Sequence, residues 1–173
     1  DPTGTQTVHG IPVLTEWSVE TLRSEFGNDL SCFYILTNSR SLPQNEARAL
    51  NEEIARNLLA AVGEDGRFTV VSRSDSTLRG HFPLETDILN EELGPFDGTL
   101  FIPYFEAGGR YTIDDVHFVA EGERMIPAAE TPFAKDAAFG YQNSNLKQWV
   151  EEKTLGTIHA ANVASITIEM LRN

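Results

Sequence analysis

Residues 31–62 read SCFYILTNSRSLPQNEARALNEEIARNLLAAV, an apolar run followed by a long amphipathic segment. The unbroken apolar run at 31–37 predicts a strand that is buried on both faces of a sheet. The segment 43–62 predicts a helix, because Pro43 stands near its start and apolar residues recur at helical spacing. Together, the strand and the helix predict a sheet with at least one helix packed against it.

The rest of the chain repeats this alternation. Strand, helix, strand, helix and strand at this spacing predict right-handed crossovers between parallel strands. We therefore predict an α/β fold with a mainly parallel sheet and flanking helices, a Rossmann-like three-layer arrangement. The further predicted elements are a helix at 16–27, strands at 68–72 and 98–102, a helix at 84–93, a hairpin strand at 116–119 and a helix at 145–153 capped by Ser144.

Composition and charge exclude several classes of protein. The 173 residues suit one domain, and the single cysteine, Cys32, allows no disulfide within the chain. The formal net charge of −13 argues against a nucleic-acid-binding protein, which needs a basic surface. No apolar run reaches the roughly 18 to 20 residues that span a bilayer. We therefore expect a cytoplasmic protein that binds neither nucleic acid nor membrane.

Both ends of the sequence suggest a longer polypeptide. The chain opens on the turn sequence DPTGT, residues 1–5, with no strand before it, and it stops at Asn173 within a predicted helix. We therefore expect this chain to be truncated at both ends.

Polar loops follow the predicted strands. In an open α/β sheet, ligands bind beyond the carboxyl ends of the strands. Four of the 13 basic residues lie in these loops, and this concentration in an acidic protein indicates an anionic ligand. Arginine offers a planar fork for a carboxylate, while Asp, Ser and Thr can bind hydroxyl groups. The loop arginines are Arg40, Arg73, Arg79 and Arg110.

One loop is distinctive among these. Any one of these arginines, taken alone, is more often a surface side chain in a weak ion pair than a ligand-binding residue. The stretch SRSDSTLRGH, residues 72–81, has one aliphatic side chain in ten residues and directly follows a predicted buried strand. Polar loops on rigid strands commonly carry functional sites, so this stretch predicts a binding site for a small polyhydroxy acid.

Several motifs resemble those of the four-carbon acid sugar kinase family. SDSTLRGH at 74–81 is the specific one, and the resemblance extends from Asp1 to about Thr154. The other similar motifs are DPTGT at 1–5, TNSR at 37–40, GRYT at 109–112 and ETPFAKD at 130–136.

The resemblance implies one half of a two-domain kinase. Residues 1–173 would be the N-terminal sugar-acid-binding domain, and an absent C-terminal domain would bind ATP and Mg²⁺. Such enzymes phosphorylate the terminal hydroxyl of threonate, erythronate or an oxo-tetronate. The resemblance implies Asp1 and Asp75 as candidate catalytic bases, although the base could equally lie in the absent domain. The expected substrate-binding residues are Arg40, Ser74, Ser76, Thr77, Arg79, Gly80, His81 and Arg110.

The sequence leaves alternatives open. It contains neither of the usual glycine-rich phosphate loops, so ATP must be bound elsewhere. Its four histidines lack metal-ligand spacing, and we predict no metal site in this chain. DPTGT also resembles the DKTGT signature of ion-pumping ATPases, which would make the protein an aspartyl-phosphate-forming phosphohydrolase. A non-catalytic sugar-acid-binding module is the other alternative. The particular acid and the oligomeric state, a homodimer included, stay open.

Overall fold

The computed structural model describes residues 8–63 and 66–172 and divides into two compact units. The first unit contains the described residues up to Arg73 together with Pro83–Leu100. The second contains Ser74–Phe82 and the described residues from Phe101 onward. Within the described part of the chain, no helix combines the length and the apolar character needed to cross a membrane.

The first unit combines a small parallel sheet with helices. Strands β1 and β2 pair in parallel, with Val13 opposite Tyr34. Helix α1 begins after Ser18, whose hydroxyl accepts a hydrogen bond from the Thr21 amide and so caps the helix. The elements are β1 (Val13–Leu14), α1 (Val19–Phe26), β2 (Tyr34–Ile35), α2 (Gln44–Val62) and α3 (Leu84–Leu93).

The core of the first unit lies between its helices and the parallel strands. Leu22 of α1 is completely buried beside Ile54 and Leu58 of α2. A second cluster joins α2 to α3 through Ala47 and Ile88. Each fully buried leucine or isoleucine contributes about 1.5–3 kcal/mol. Apolar residues at helical spacing therefore explain why α1, α2 and α3 form and pack.

The second unit is built on an antiparallel sheet. The strands β3 (Arg110–Ile113), β4 (Val116–Glu121) and β5 (Arg124–Pro127) lie side by side in that order. The connection between β3 and β4 is the two-residue turn Asp114-Asp115, with positive φ angles of 49° and 67°, as tight hairpins require. Helices α4 (Leu146–Lys153) and α5 (Ile168–Arg172) follow.

Aromatic packing dominates the core of the second unit. Trp149 of α4 is 1% exposed. Its ring lies parallel to that of Phe101 at 4.9 Å and stacks on Phe82 at 4.8 Å. Val119 of β4 and Leu78 belong to the same cluster. Because Leu78 and Phe82 are part of this core, it anchors the loop at 74–82.

The structure confirms a mixture of helices and strands, but the mainly parallel, Rossmann-like three-layer sheet that we predicted is not found among the described residues, whose strands form one two-stranded parallel and one three-stranded antiparallel sheet. The predicted strand at 31–37 is reduced to β2, and residues 68–72 and 98–102 join no sheet among the described residues. A strand needs a neighbour for its backbone groups, and apolar composition alone does not supply one. Leu100, in the middle of the segment 98–102, is accordingly 72% exposed.

The start of α4 also differs from the prediction. Asn145 caps this helix, because its side-chain oxygen accepts hydrogen bonds from the amides of Lys147 and Gln148. Ser144 was therefore wrong as the cap. Its hydroxyl instead accepts a hydrogen bond from the Ala129 amide.

Candidate functional site

The loop at 74–81 closes on itself. The Ser74 hydroxyl donates to the Arg79 carbonyl at 3.2 Å, and the Leu78 amide donates to the Asp75 carbonyl at 3.0 Å. Gly80 has a φ of +146°, and a Cβ atom at this position would lie 2.3 Å from the Ser74 hydroxyl. Only glycine fits such a close approach in this conformation. The loop therefore depends on glycine at this position.

Asp75, Thr77 and Arg79 form a hydrogen-bonded cluster within this loop. Arg79 Nε donates to Asp75 Oδ2 at 2.7 Å and to Thr77 Oγ1 at 3.0 Å. The Thr77 hydroxyl in turn donates to the same Asp75 oxygen. The side chains of Arg79 and Asp75 are 24% and 16% exposed, so water screens this pair only in part.

This cluster sets the ionisation of Asp75. Burial acts to raise the pKa of Asp75, but the hydrogen bonds from Thr77 and Arg79 together with the Arg79 charge outweigh it and hold the pKa below its usual range. Asp75 is consequently a carboxylate at neutral pH.

A second group of charges lies around Phe133, in the short helical turn Pro132–Lys135. The guanidinium groups of Arg79 and Arg110 lie 5.0 and 5.6 Å from the centre of the Phe133 ring. Within 6 Å, an aromatic ring attracts such cations. Arg79 Nη1 also lies 3.7 Å from Asp136 Oδ2. These contacts bring together the loop at 74–81, strand β3 and the turn at 132–136.

The charges of this site are balanced. Arg79 and Arg110 are balanced by Asp75 and Asp136, so these four side chains carry no net formal charge. An anion would therefore be held by directed N–H groups and not by an excess of positive charge. Arg110 Nε is buried and has no hydrogen-bond partner among the described residues. A buried N–H group of this kind needs a hydrogen-bond acceptor, which can be a water molecule or a ligand.

The structure brings together most of the predicted site residues. Ser74, Asp75, Ser76, Thr77, Arg79, Gly80 and His81 share one loop of the second unit, and Arg110 meets Arg79 at the Phe133 ring. His81 is 9% exposed, and its ring meets the edge of Phe139 at 4.9 Å. Arg40 belongs to the first unit, in the helical turn Ser39–Ser41. Asp1 lies outside the described residues.

Sequence reasoning missed four residues that touch this site: His117, Phe133, Asp136 and Tyr141. His117 Nε2 lies 2.8 Å from the Ser76 carbonyl, and the Tyr141 hydroxyl donates to the Thr77 carbonyl at 2.9 Å. No local pattern relates these side chains to the loop, since 41 and 64 positions separate the partners. The motif ETPFAKD at 130–136 was the available signal for Phe133 and Asp136.

Comparison with known proteins identifies the family. A family model described as a sugar-binding N-terminal domain matches residues 1–172. The chain belongs to this sugar-binding family. It is also 34% identical over 112 residues to a D-erythronate kinase from Heliobacterium modesticaldum (strain ATCC 51547 / Ice1).

The match to that kinase covers 65% of this chain and 24% of the relative. The matched part of the chain therefore spans about a quarter of the kinase's length. No solved structure matches the chain.

Proposed function

We propose that this chain is the substrate-binding domain of an ATP-dependent kinase that phosphorylates the terminal hydroxyl of a four-carbon sugar acid. The observation that carries this proposal is the Asp75–Thr77–Arg79 cluster, which lies in the loop that contains the SDSTLRGH motif. The name of the D-erythronate kinase relative supports erythronate as a first candidate substrate. Threonate and an oxo-tetronate are the other candidates.

The site offers the groups that such an acid needs. Arg79 and Arg110 can donate hydrogen bonds to the carboxylate, and their common contact with Phe133 limits the positions of both guanidinium groups. Asp75 can accept a hydrogen bond from a sugar hydroxyl, because it is ionised at neutral pH. Ser74, Thr77 and the nearby backbone can bind the remaining hydroxyls.

The proposed reaction is an in-line transfer of a phosphoryl group to the sugar hydroxyl. Asp75 would orient the attacking hydroxyl and accept its proton, which requires a separation of about 2.6–3.2 Å. Its lowered pKa makes it a weak base, so orientation is the stronger part of this role. Asp1 is the alternative base. The proposal assigns ATP and Mg²⁺ to a part of the enzyme outside this chain, since phosphoryl transfer needs groups that neutralise the phosphates.

Calorimetric titration tests the proposal. The protein at its natural full length should bind D-erythronate or a related acid and bind erythritol far more weakly, because erythritol lacks the carboxylate. Arg79→Ala should lower the affinity for the acid about 10- to 100-fold, the value of a charged hydrogen bond. Arg124→Ala, which removes the same charge from the exposed start of strand β5, serves as the matched control.

Two results would refute the proposed function. One is the failure of every four-carbon acid to bind more tightly than erythritol. The other is binding without ATP-dependent phosphorylation in the full-length protein, which would indicate a binding module. Arg40→Ala tests the first unit separately, and unchanged affinity would remove Arg40 from the site.

We further propose that residues 68–72 and 98–102 complete a larger parallel sheet in the natural protein. The alternation of buried and exposed side chains at 68–71 supports this for the first segment, since Phe68 and Val70 pack against the core of the first unit while Val71 is 80% exposed. A period of two is typical of a strand with one covered face. Protection of alternate amides at 68–72 from hydrogen exchange would support strand pairing, and uniform rapid exchange would contradict it.

A further inference from the structure

Two carbonyl groups of the site loop are held by side chains from distant parts of the second unit. The Ser76 carbonyl accepts a hydrogen bond from His117 on β4, and the Thr77 carbonyl accepts one from Tyr141. The two carbonyls belong to consecutive residues. Together the side chains therefore define the orientation of the backbone on both sides of Thr77.

The hydrogen bonds of His117 determine its tautomer. The Ser76 carbonyl can only accept, so His117 Nε2 carries the hydrogen of that 2.8 Å contact. In the neutral ring, Nδ1 then accepts from the Thr112 hydroxyl on the adjacent strand β3 at 3.0 Å. Burial lowers the pKa of His117, and the positive charge of Arg110 acts in the same direction. The ring is therefore neutral at pH 7 and completely enclosed.

Tyr141 makes a similar contact with the next carbonyl of the loop. It is 5% exposed, and its hydroxyl reaches the Thr77 carbonyl at 2.9 Å and the Ala128 carbonyl at 3.3 Å. Burial and the negative charge of Asp75 raise the pKa of Tyr141 to about 12. The hydroxyl thus remains a hydrogen-bond donor throughout the physiological pH range.

The loop needs such external support. Leu78 has a φ of +66°, a conformation that non-glycine residues rarely adopt. The Thr77 hydroxyl both donates to Asp75 and accepts from Arg79, so a rotation of the backbone at Thr77 would disturb both contacts. The hydrogen bonds to the Ser76 and Thr77 carbonyls therefore affect the Asp75–Arg79 pair through Thr77.

We propose that His117 and Tyr141 are positioning residues of the sugar-acid site, which hold the Ser76 and Thr77 carbonyls so that Thr77, Asp75 and Arg79 keep their binding geometry. This inference rests on the proposed function. It assigns neither side chain to the chemical step, because each acts through the loop backbone.

Matched substitutions at position 117 separate positioning from simple packing. His117→Gln places an amide N–H near the position of Nε2 and can retain the bond to Ser76, whereas His117→Asn reaches only the position of Nδ1. We expect His117→Asn and Tyr141→Phe each to weaken D-erythronate binding about three- to tenfold, the equivalent of one hydrogen bond. His117→Gln should recover most of that loss.

Thr154→Val is the control for general destabilisation. Thr154 is a buried residue of the same unit and directly follows α4. Its hydroxyl donates to the Val150 carbonyl of that helix at 2.8 Å. Its removal should lower the melting temperature about as much as Tyr141→Phe while leaving D-erythronate affinity unchanged. In the kinase assay, the positioning variants should raise KM and also lower kcat, because a displaced Asp75 orients the attacking hydroxyl less well.

The outcomes distinguish this inference from the proposed function. Binding of D-erythronate by the wild type with unchanged affinity in His117→Asn and Tyr141→Phe would overturn the positioning role alone. An equal loss of affinity in Thr154→Val would also overturn it, since general destabilisation would explain the effect. Wild-type protein that binds no four-carbon acid would overturn both proposals. If His117→Asn does not fold, the nearly isosteric Tyr141→Phe variant decides the test.

Discussion

Removing Asp75 and Arg79 singly and together should reveal a substantial interaction between them. The Nε–Oδ2 distance is 2.7 Å, and the two side chains are 16% and 24% exposed. A hydrogen bond to a charged group contributes about 1.5–3 kcal/mol, and a fully exposed ion pair about 0.2–1 kcal/mol. For this partly buried pair we expect a coupling energy of about 1–2 kcal/mol between Asp75→Ala and Arg79→Ala. That value includes the portion carried through Thr77.

Trp149 provides the measurement. It is 1% exposed and stacked on Phe101, so its fluorescence reports the unfolding of the second unit, which contains Asp75 and Arg79. The other tryptophan, Trp17, is replaced by phenylalanine in all variants to isolate this signal. Urea titration of the four proteins then gives the free energy of unfolding of that unit without assuming that both units unfold together.

A more exposed pair in the same unit provides the control. Lys147 and Asp115 lie 3.3 Å apart, with side chains that are 32% and 33% exposed. Their alanine cycle should give a smaller coupling, below about 1 kcal/mol. Independent mutations usually add to within about 0.5 kcal/mol. An Asp75–Arg79 coupling energy below that value, or below the coupling energy of the control pair, would contradict this prediction.

Two further predictions concern the same unit. The free energy of unfolding of this unit should fall as the pH drops below about 6.5, because histidine in the unfolded chain then binds protons while the folded His117, with its lowered pKa, does not. Urea titrations at several pH values should show this slope. An unchanged slope in a His117→Gln variant would contradict the assignment of the pH dependence to His117. Gly80→Ala should destabilise the protein by about 1–3 kcal/mol through backbone strain and the contact with Ser74. Thermal denaturation should show a smaller loss of stability for Gly122→Ala, because Gly122 has a positive φ of 62° but open space around it. Equal losses of stability in the two variants would argue against a special role for Gly80.

The helices could be predicted closely from the sequence. The structure places α2 at Gln44–Val62 and α3 at Leu84–Leu93, against predictions of 43–62 and 84–93. Helix hydrogen bonds join residues four positions apart, so periodicity and capping residues within the segment contain most of the information. The cap of α4 was wrong by one residue, because Ser144 and Asn145 are both good caps and the backbone geometry selects between them.

The strands were less predictable. The segments 31–37, 68–72 and 98–102 all have strand-like composition, but within 8–63 and 66–172 only residues 34–35 of these segments pair. The hairpin strand predicted at 116–119 is present as Val116–Glu121, where a two-residue turn brings its partner close in sequence. Strand formation depends on partners that local sequence does not specify, except where a tight turn supplies them.

For the proposed site, the sequence alone predicted which residues would bind a small acid. The polar run at 74–81, with its glycine at position 80, can be recognised from the segment alone, because side-chain chemistry and backbone freedom are properties of the segment itself. Only the tertiary structure decided how that run is held: His117 and Tyr141 meet its carbonyls, and Phe133 brings Arg110 to Arg79. These contacts join residues separated by tens of positions, and they arise from the packing of the second core, which no local pattern encodes.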